Sequence, residues 1–521
     1  MFLNSSIWSR QWAEILVKFR NKSIQNGKKK KESQFLAFDL GAESGRALLG
    51  TLQDRQLKVE ELHRFPNIPV NIHSHIYWNI FRIYENLKES LKICALQRKL
   101  SPHSIGVDTW GVDYALLADD GNILGLPYTY RDIRTEGVIE AFFEKFSSEH
   151  TYELTGIQVY RINTIFQLYS MVRDKSPLLK VAKDLLFTPD LLLYLLTGEK
   201  KTEFSIATTS GLFNPVTNSW EPELFEALEI PIDIMQEVVA PGTITGNLTS
   251  EILKETGIDT IPAVAPATHD TGSAVAAVPA EGEDWAYISS GTWSLMGIEI
   301  RKPVLTHEAR KRNFTNEGGV DGTFRFLKNI VGLWLLQKCV WKWSKTHDVS
   351  YAKLTREAVS AKPFKALINP DYDGFLNPPD MPEAITAFCK HTKQPIPRSS
   401  SEITRSILES LALRYRAVLD ELRQVSSVPI NKIHVIGGGS KNHLLCQFTA
   451  NATGLPVIAG PVEATAIGNL LVQAKTLGYI SSIAELRNIV RNSFSVTMFK
   501  PKDADLWEKA YERFCNISNR L

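Results

Sequence analysis

The run APATHDTGSAVAAV, Ala265 to Val278, places one carboxylate, Asp270, between an imidazole and a hydroxyl, His269 and Thr271. A carboxylate in such company can take the proton of an alcohol as that alcohol attacks an electrophile. It also reads as a helix N-cap, because the apolar run IPAVA precedes it and small residues follow. On this stretch alone both readings stand. A second acid, Asp39 in FLAFDLGAESGRALLGTL, ends an apolar strand at a turn from Gly41 to Gly45. Ala42, Ser44 and Gly45 keep that turn low, so its backbone N–H groups can face an anion, and Arg46 adds a fixed positive charge. WAYISSGTWSLMGIEI has the same grammar, with Ser289-Ser290-Gly291-Thr292 between two strands. A third turn, Gly437-Gly438-Gly439, follows the strand KIHVI and opens a helix, where a ligand can approach the backbone closely. Ordinary turn chemistry explains either hairpin alone. One in each half of the chain points to a duplicated architecture with phosphates held between the halves.

The elements that position these groups need room. A chain of 521 residues divides by default into two large domains. Hydrophobic content of 44% and charged content of 22% are globular values. Cys94, Cys339, Cys389, Cys446 and Cys515 are scattered without a CxxC pair, which argues against a disulfide framework or a zinc site and fits a reducing, cytoplasmic setting. No apolar run reaches spanning length. GGGS lacks the GxGxxG spacing of a dinucleotide site, and no P-loop occurs. Residues 1–31 carry eight Lys or Arg and one acid, so the remaining 51 basic and 56 acidic residues leave a body near −5 with no nucleic-acid footprint. Trp8, Trp12, Ile15, Leu16 and Phe19 share one helical face ahead of GKKKK. That segment reads as a basic amphipathic helix, an organelle presequence or a dispensable tail. TEFSIATTSGLFN reads as a polar loop near the cleft. Asn369 to Ala384 reads as an extended surface segment. A C-terminal helix is expected to turn Leu506, Ala510 and Phe514 inward.

The ordered set DLGAESGR, SIGVDTWGVDY, YRDIRT, ATHDTGSAV, SSGTWSLMG, FLKNIVGLWLLQ and VIGGGSKN resembles that of the FGGY carbohydrate kinases, from about Phe35 to about Phe499. Many of that family carry Gly-Thr where this chain has Gly41-Ala42. The resemblance implies a two-domain α/β fold, actin-like and ribonuclease H-like, with ATP and sugar in the interdomain cleft. Beyond the basic extension over residues 1–33, it implies a sugar-binding domain with the catalytic base over 34–280 and a nucleotide-binding domain over 281–499, with a C-terminal helix over 500–521 expected to pack on the body. The implied reaction is transfer of the γ-phosphate of ATP to the C1 hydroxyl of L-rhamnulose. A related ketose such as L-fuculose or xylulose is the alternative substrate, and a non-catalytic nucleotide- and sugar-binding regulator is the alternative of another class.

By the same resemblance Asp270 is the base. Ala42, Glu43, Ser44, Gly45, Arg46, Thr292, Gln337 and Gly438 contact ATP. Gly111, His269, Asp270, Thr271 and Asn329 contact the sugar, and Asp39 holds Mg²⁺ through water. The expected partners are a small ketose and ATP, with no nucleic acid and no membrane span. Arg131, Asp132 and Arg134 of YRDIRT fit substrate orientation and a structural ion-pair network equally, and Trp110 fits sugar stacking and core filling equally.

Overall fold

The computed structural model describes residues 32–346 and 348–518. The expected amphipathic extension therefore lies outside the described residues, apart from Glu32 and Ser33.

Two sheets organise the chain. The first uses β1 (Ser33–Leu40), β2 (Ser44–Gln53), β3 (Gln56–Pro66), β4 (Ile105–Thr109), β5 (Thr243–Asn247) and β6 (Pro262–Ala265), in the order β5-β6-β4-β1-β2-β3. The second uses β7 (Trp285–Ser290), β8 (Trp293–Ile300), β9 (Thr315–Gly318), β10 (Phe324–Val331), β11 (Lys432–Ile436), β12 (Val457–Ala459) and β13 (Thr497–Phe499), in the order β9-β10-β8-β7-β11-β12-β13. The central strands β1, β4, β7 and β11 are buried along nearly their whole length because both faces of each sheet are covered.

The pairings repeat from one sheet to the other. β1 is antiparallel to β2 and parallel to β4, and β4 is parallel to β6. β7 is antiparallel to β8 and parallel to β11, and β11 is parallel to β12. The outer strands β5 and β13 are both antiparallel additions, and β9 extends the second sheet beyond β10. Strand β6 leads into the helix Asp270–Ala276, and β12 into the helix Ala464–Thr476. These two helices cross so closely that a Cβ on Gly468 would lie 1.8 Å from the Ser273 carbonyl oxygen.

The halves share buried contacts. One apolar cluster combines Phe35 and Ala37 with Trp285, Ile436 and Ile467. Beside it, Asn469 donates to Asp108 at 2.6 Å, Gln473 donates to the Leu36 carbonyl at 3.1 Å, and Ser104 donates to Gln473 at 2.8 Å.

Three sequence expectations shift. The C-terminal helix Ala504–Ser518 buries Trp507, Ala510, Phe514 and Ile517, while Leu506 is 56% exposed, so the inward face starts one residue later. Asn369–Ala384 is not wholly surface, since Phe375 and Met381 are buried in the second core. TEFSIATTSGLFN is not a loose polar loop. It forms the short helix Phe204–Ala207 and a buried turn Thr208–Ser210. Among the described residues no helix is long and apolar enough to cross a membrane.

Candidate active site

A cleft of about 410 Å³ opens between the two hairpin turns. Gly41 to Ser44 line it from the first sheet, Ser289 to Trp293 from the second, and Gly437 and Gly438 from the third turn. In the first turn, Asn67 donates to the carbonyls of Gly41 and Glu43, and the backbone N–H groups of Ala42 and Glu43 have no partner among the described residues. In the second turn, Leu333 and Trp334 donate to the carbonyls of Gly291 and Thr292, and the Thr292 N–H is likewise unpaired among the described residues. Both turns thus tie down carbonyls and leave N–H groups for an anion. The three glycines of the third turn have separate reasons. Gly437 has φ +80°, a Cβ on Gly439 would strike the Ser290 hydroxyl at 2.0 Å, and Gly438 faces open space.

Asp270 begins its helix, with its side chain 35% exposed in the cleft. Its Oδ1 accepts from the Thr271 hydroxyl at 3.0 Å and lies 3.5 Å from His269 Nε2. The segment before it is pinned. Thr109 N–H donates to the Thr268 carbonyl, buried Glu203 accepts from the N–H and hydroxyl of Thr268, and His269 N–H donates to Ser205. Behind His269 lies a buried ion pair, Arg325 with Glu317 at 3.1 Å. Burial alone would raise the Glu317 carboxyl, but the Arg325 guanidinium and His269 outweigh it and hold it lowered. His269 Nδ1 lies between Arg325 Nη2 at 3.0 Å and Glu317 Oε2 at 3.3 Å, so it accepts from the guanidinium in one tautomer and donates to the carboxylate in the other. Gly111 packs against the same ring, its Cβ position 3.3 Å from Nε2.

The cleft wall includes Ala42, Glu43, Ser44, Gly111, His269, Asp270, Thr271, Thr292, Asn329 and Gly438. Asp39, Gly45, Arg46 and Gln337 are not among the lining residues. Gly45 is packed against Phe65. Gln337, on the helix Trp334–Trp343, holds a buried Oε1 without a partner among the described residues. Arg46 bonds Asp39 and Glu463, each at 2.5 Å.

Sequence reasoning passed over several residues here. Gln158 Oε1 accepts from both the N–H and the side-chain amide of Asn329, at 3.2 and 2.9 Å, fixing that side chain. Val112 carries φ +67°, a strained conformation for a β-branched residue, held where Thr209 accepts its N–H and its carbonyl accepts from Thr164. Glu203, Ser205 and Thr209 all come from TEFSIATTSGLFN, whose density of hydroxyls was the available signal. Trp110 fills core, packing on Trp78 at 4.2 Å and donating to Asp113, and its remaining surface lines the cleft.

Asp39 and Asp108, which do not line the cleft, and Asp270, which does, are the carboxylates close enough to one another to help hold a divalent cation. Burial raises Asp39 despite Arg46, and Asp270 and Glu463 add to the rise. Burial raises Asp108 much further, with Asp39 and Asp270 contributing. Asp39 and Asp108 are register partners on adjacent parallel strands, and Asp108 Oδ1 has no hydrogen-bond partner among the described residues. Like charges at this density fit a hydrated magnesium ion that also binds phosphate oxygens. No group of three or more His, Cys, Asp or Glu among the described residues would hold a metal alone.

Residues 34–277 match the N-terminal domain of the FGGY family of carbohydrate kinases, and residues 286–477 match its C-terminal domain. The chain is 50% identical over 485 residues to a protein named rhamnulokinase from Bacteroides thetaiotaomicron, covering 93% of this chain and 99% of that one. It is 42% identical over 461 residues to a rhamnulokinase from Oceanobacillus iheyensis, covering 88% and 97%. Its fold is that of xylulose kinase from Lactobacillus acidophilus, with a TM-score of 0.79 at 16% identity over 94% of this chain and 98% of that one. Plasmodium falciparum glycerol kinase with ADP superposes with a TM-score of 0.75 at 15% identity over 95% and 99%.

Proposed function

The chain belongs to the FGGY family of carbohydrate kinases, and from that premise we propose that it transfers the γ-phosphate of ATP to the C1 hydroxyl of L-rhamnulose. The products are L-rhamnulose 1-phosphate and ADP. The observation that carries this reading is Asp270, a carboxylate open to a cleft whose two walls are duplicated hairpin turns with unpaired N–H groups. The choice of ketose leans on the names of the relatives.

In this reading Asp270 accepts the C1 hydroxyl proton as that oxygen bonds to the γ-phosphorus, and the bond to the β–γ bridging oxygen breaks to release ADP. His269, Thr271, Gly111 and the Gln158-held Asn329 orient the sugar. Ala42, Glu43, Ser44, Thr292 and Gly438 bind the nucleotide, chiefly through main-chain N–H groups. Gly45 and Arg46 shape the first turn from behind, and Gln337 supports the nucleotide wall. Asp39, with Asp108 beneath it, would hold Mg²⁺ through water, and that ion would neutralise charge on the phosphates. We assign residues 34–280 to the sugar and base, 281–499 to the nucleotide and 500–521 to a packing helix. A cytoplasmic setting fits five cysteines that are all unpaired.

The test is magnesium-dependent ADP release across L-rhamnulose, L-fuculose, L-xylulose, D-xylulose and glycerol. L-Rhamnulose is expected to give the highest kcat/KM. A clearly higher value for another acceptor overturns the substrate, and no turnover with any of them overturns the kinase reading.

A further inference from the structure

The segment YRDIRT contains three charged residues with different fates. Asp132 is buried and accepts from the Ile76 N–H at 2.7 Å, with His75 Nδ1 at 3.0 Å. Arg134 is buried, donates to the Gln167 carbonyl and side chain, and lies over the Tyr128 ring at 4.1 Å. These two fix the segment to the first half of the molecule. Arg131 between them is exposed, lines the cleft, and has no carboxylate within ion-pair distance among the described residues. Its guanidinium instead reaches the second half, 5.2 Å from the centre of the Trp334 ring.

Trp334 is not a remote surface ring. Its N–H donates to the Thr292 carbonyl in the second turn at 3.1 Å, and its indole N–H donates to the Leu376 carbonyl at 3.0 Å. One helical turn on, Lys338 puts its ammonium 4.5 Å from the same ring. Two cations from opposite halves therefore share one indole beside the second turn, Arg131 itself lining the cleft while Trp334 and Lys338 are not among its lining residues. Lys338 is lowered by burial and then by Arg131, with Glu43 opposing the shift, yet Glu43 makes no ion pair with it among the described residues. Cation–π attraction holds each cation to the ring. It does not remove their repulsion, which an anion between them would.

We propose that Arg131 and Lys338 form a two-sided clamp for the terminal phosphoryl group of the nucleotide, with Trp334 as the shelf that aligns them. The inference rests on the kinase reading of the cleft. A guanidinium offers paired donors to phosphoryl oxygens, which suits Arg131 to the group in transit. Because the two cations come from different halves, the clamp also couples terminal-phosphate binding to closure of the cleft.

The discriminating ligand pair is ATP against ADP, since ADP lacks the clamped group. Both affinities are measured with magnesium and without sugar, on wild type, Arg131→Ala and Lys338→Ala. Arg131→Ala is expected to weaken ATP by about 10- to 100-fold and leave ADP nearly unchanged, with a smaller shift of the same sign in Lys338→Ala. Retained ADP binding reports that the variant is folded. An unchanged ATP-to-ADP ratio in Arg131→Ala, or a parallel loss of both ligands, overturns the clamp. An unchanged ratio in Lys338→Ala overturns its two-sided form. Failure of the kinase reading appears separately, as wild-type protein that turns over no ketose.

Discussion

The two halves of the molecule run through the same topology and spend their charges differently. Each half has a central strand, an antiparallel hairpin beside it, two parallel neighbours, and a helix that starts after the second neighbour. An acid stands at both helix starts, Asp270 in the first half and Glu463 in the second. Asp270 faces the cleft with Thr271 and His269 as its hydrogen-bond and ion-pair neighbours among the described residues, whereas Glu463 is taken by Arg46 of the first hairpin. The hairpins differ in the same sense. The first pairs Asp39 with Arg46 across adjacent strands, and the second has neutral Ser289, Ser290 and Thr292. A duplicated scaffold therefore supplies two equivalent helix starts, and the neighbouring charges decide which acid remains available for chemistry.

The strongest way to break this comparison is Asp270→Asn. The N-cap reading of Asp270 does not hold, since His269 occupies the N-cap and Asp270 is the first helical residue. Its carboxylate accepts from the Thr271 hydroxyl rather than from a helix N–H, so Asn in its place should leave stability near wild type. Loss of the base should lower kcat by about two to four orders of magnitude while nucleotide affinity survives. Turnover, ATP affinity and melting temperature on one preparation separate chemistry from folding. A variant keeping more than about a tenth of wild-type kcat removes Asp270 from the mechanism.

Gly468→Ala attacks the crossing of the two equivalent helices. The added methyl meets the Ser273 backbone at 1.8 Å, and a main-chain carbonyl cannot rotate away as a flexible side chain would. Overpacking of this kind costs about 1–3 kcal/mol. Urea unfolding should show a lowered midpoint, and kcat should fall with it if the crossing sets cleft closure. An unchanged midpoint would mean that the helices do not need their present separation.

Much of this organisation was legible in the sequence. Asp39, Asp270 and the glycine turns each have an ordinary cap or turn reading alone, and only their order along the chain sets them apart. The order of motifs carried the fold class. What stayed hidden depends on contacts distant in sequence. Glu317 and Arg325 lie on strands with no motif of their own, and their bearing on His269 appears only when β9 and β10 come beside it. The hold of Gln158 on Asn329 spans 171 residues. Leu506 and Trp507 are adjacent and both apolar, so the helical period alone did not choose between them.

Opposed pH responses distinguish the halves further. Burial lifts Asp113, in the first half, to about 6 in spite of hydrogen bonds from Trp78, Gln167, Trp110 and the Tyr130 N–H. Between about pH 4 and 6 the folded chain holds a proton there that the unfolded chain has lost. The stabilisation from Asp113 is therefore full below about pH 4 and declines as pH rises to about 6. His434, in the second half, is pulled down to about 3 by burial and by Lys432, Arg487 and Arg491. It stays neutral when the unfolded chain protonates, so its contribution is full above about pH 6.5 and declines as pH falls towards 3. Each slope is worth about 1.4 kcal/mol per pH unit inside its window. Against wild type, Asp113→Asn should lose stability more steeply from pH 6 to 4, and His434→Phe less steeply. Parallel melting curves for all three proteins would discard both assignments.

Glu463→Gln should have the smallest effect, and it tests the comparison most directly because it alters the acid equivalent to Asp270. The Glu463 side chain is 36% exposed, and its bond to Arg46 sits at the cleft edge. An exposed ion pair of this kind contributes about 0–1 kcal/mol. Arg46 keeps Asp39 after the substitution, so the first turn retains its charged support. The expected result is a kcat within about fivefold of wild type and a melting temperature barely changed. Sensitivity to salt should fall, because one partly exposed pair has been removed. A drop in kcat comparable to that of Asp270→Asn would mean that both acids act on the reacting groups. The asymmetry between the halves would then be one of geometry rather than of charge already committed.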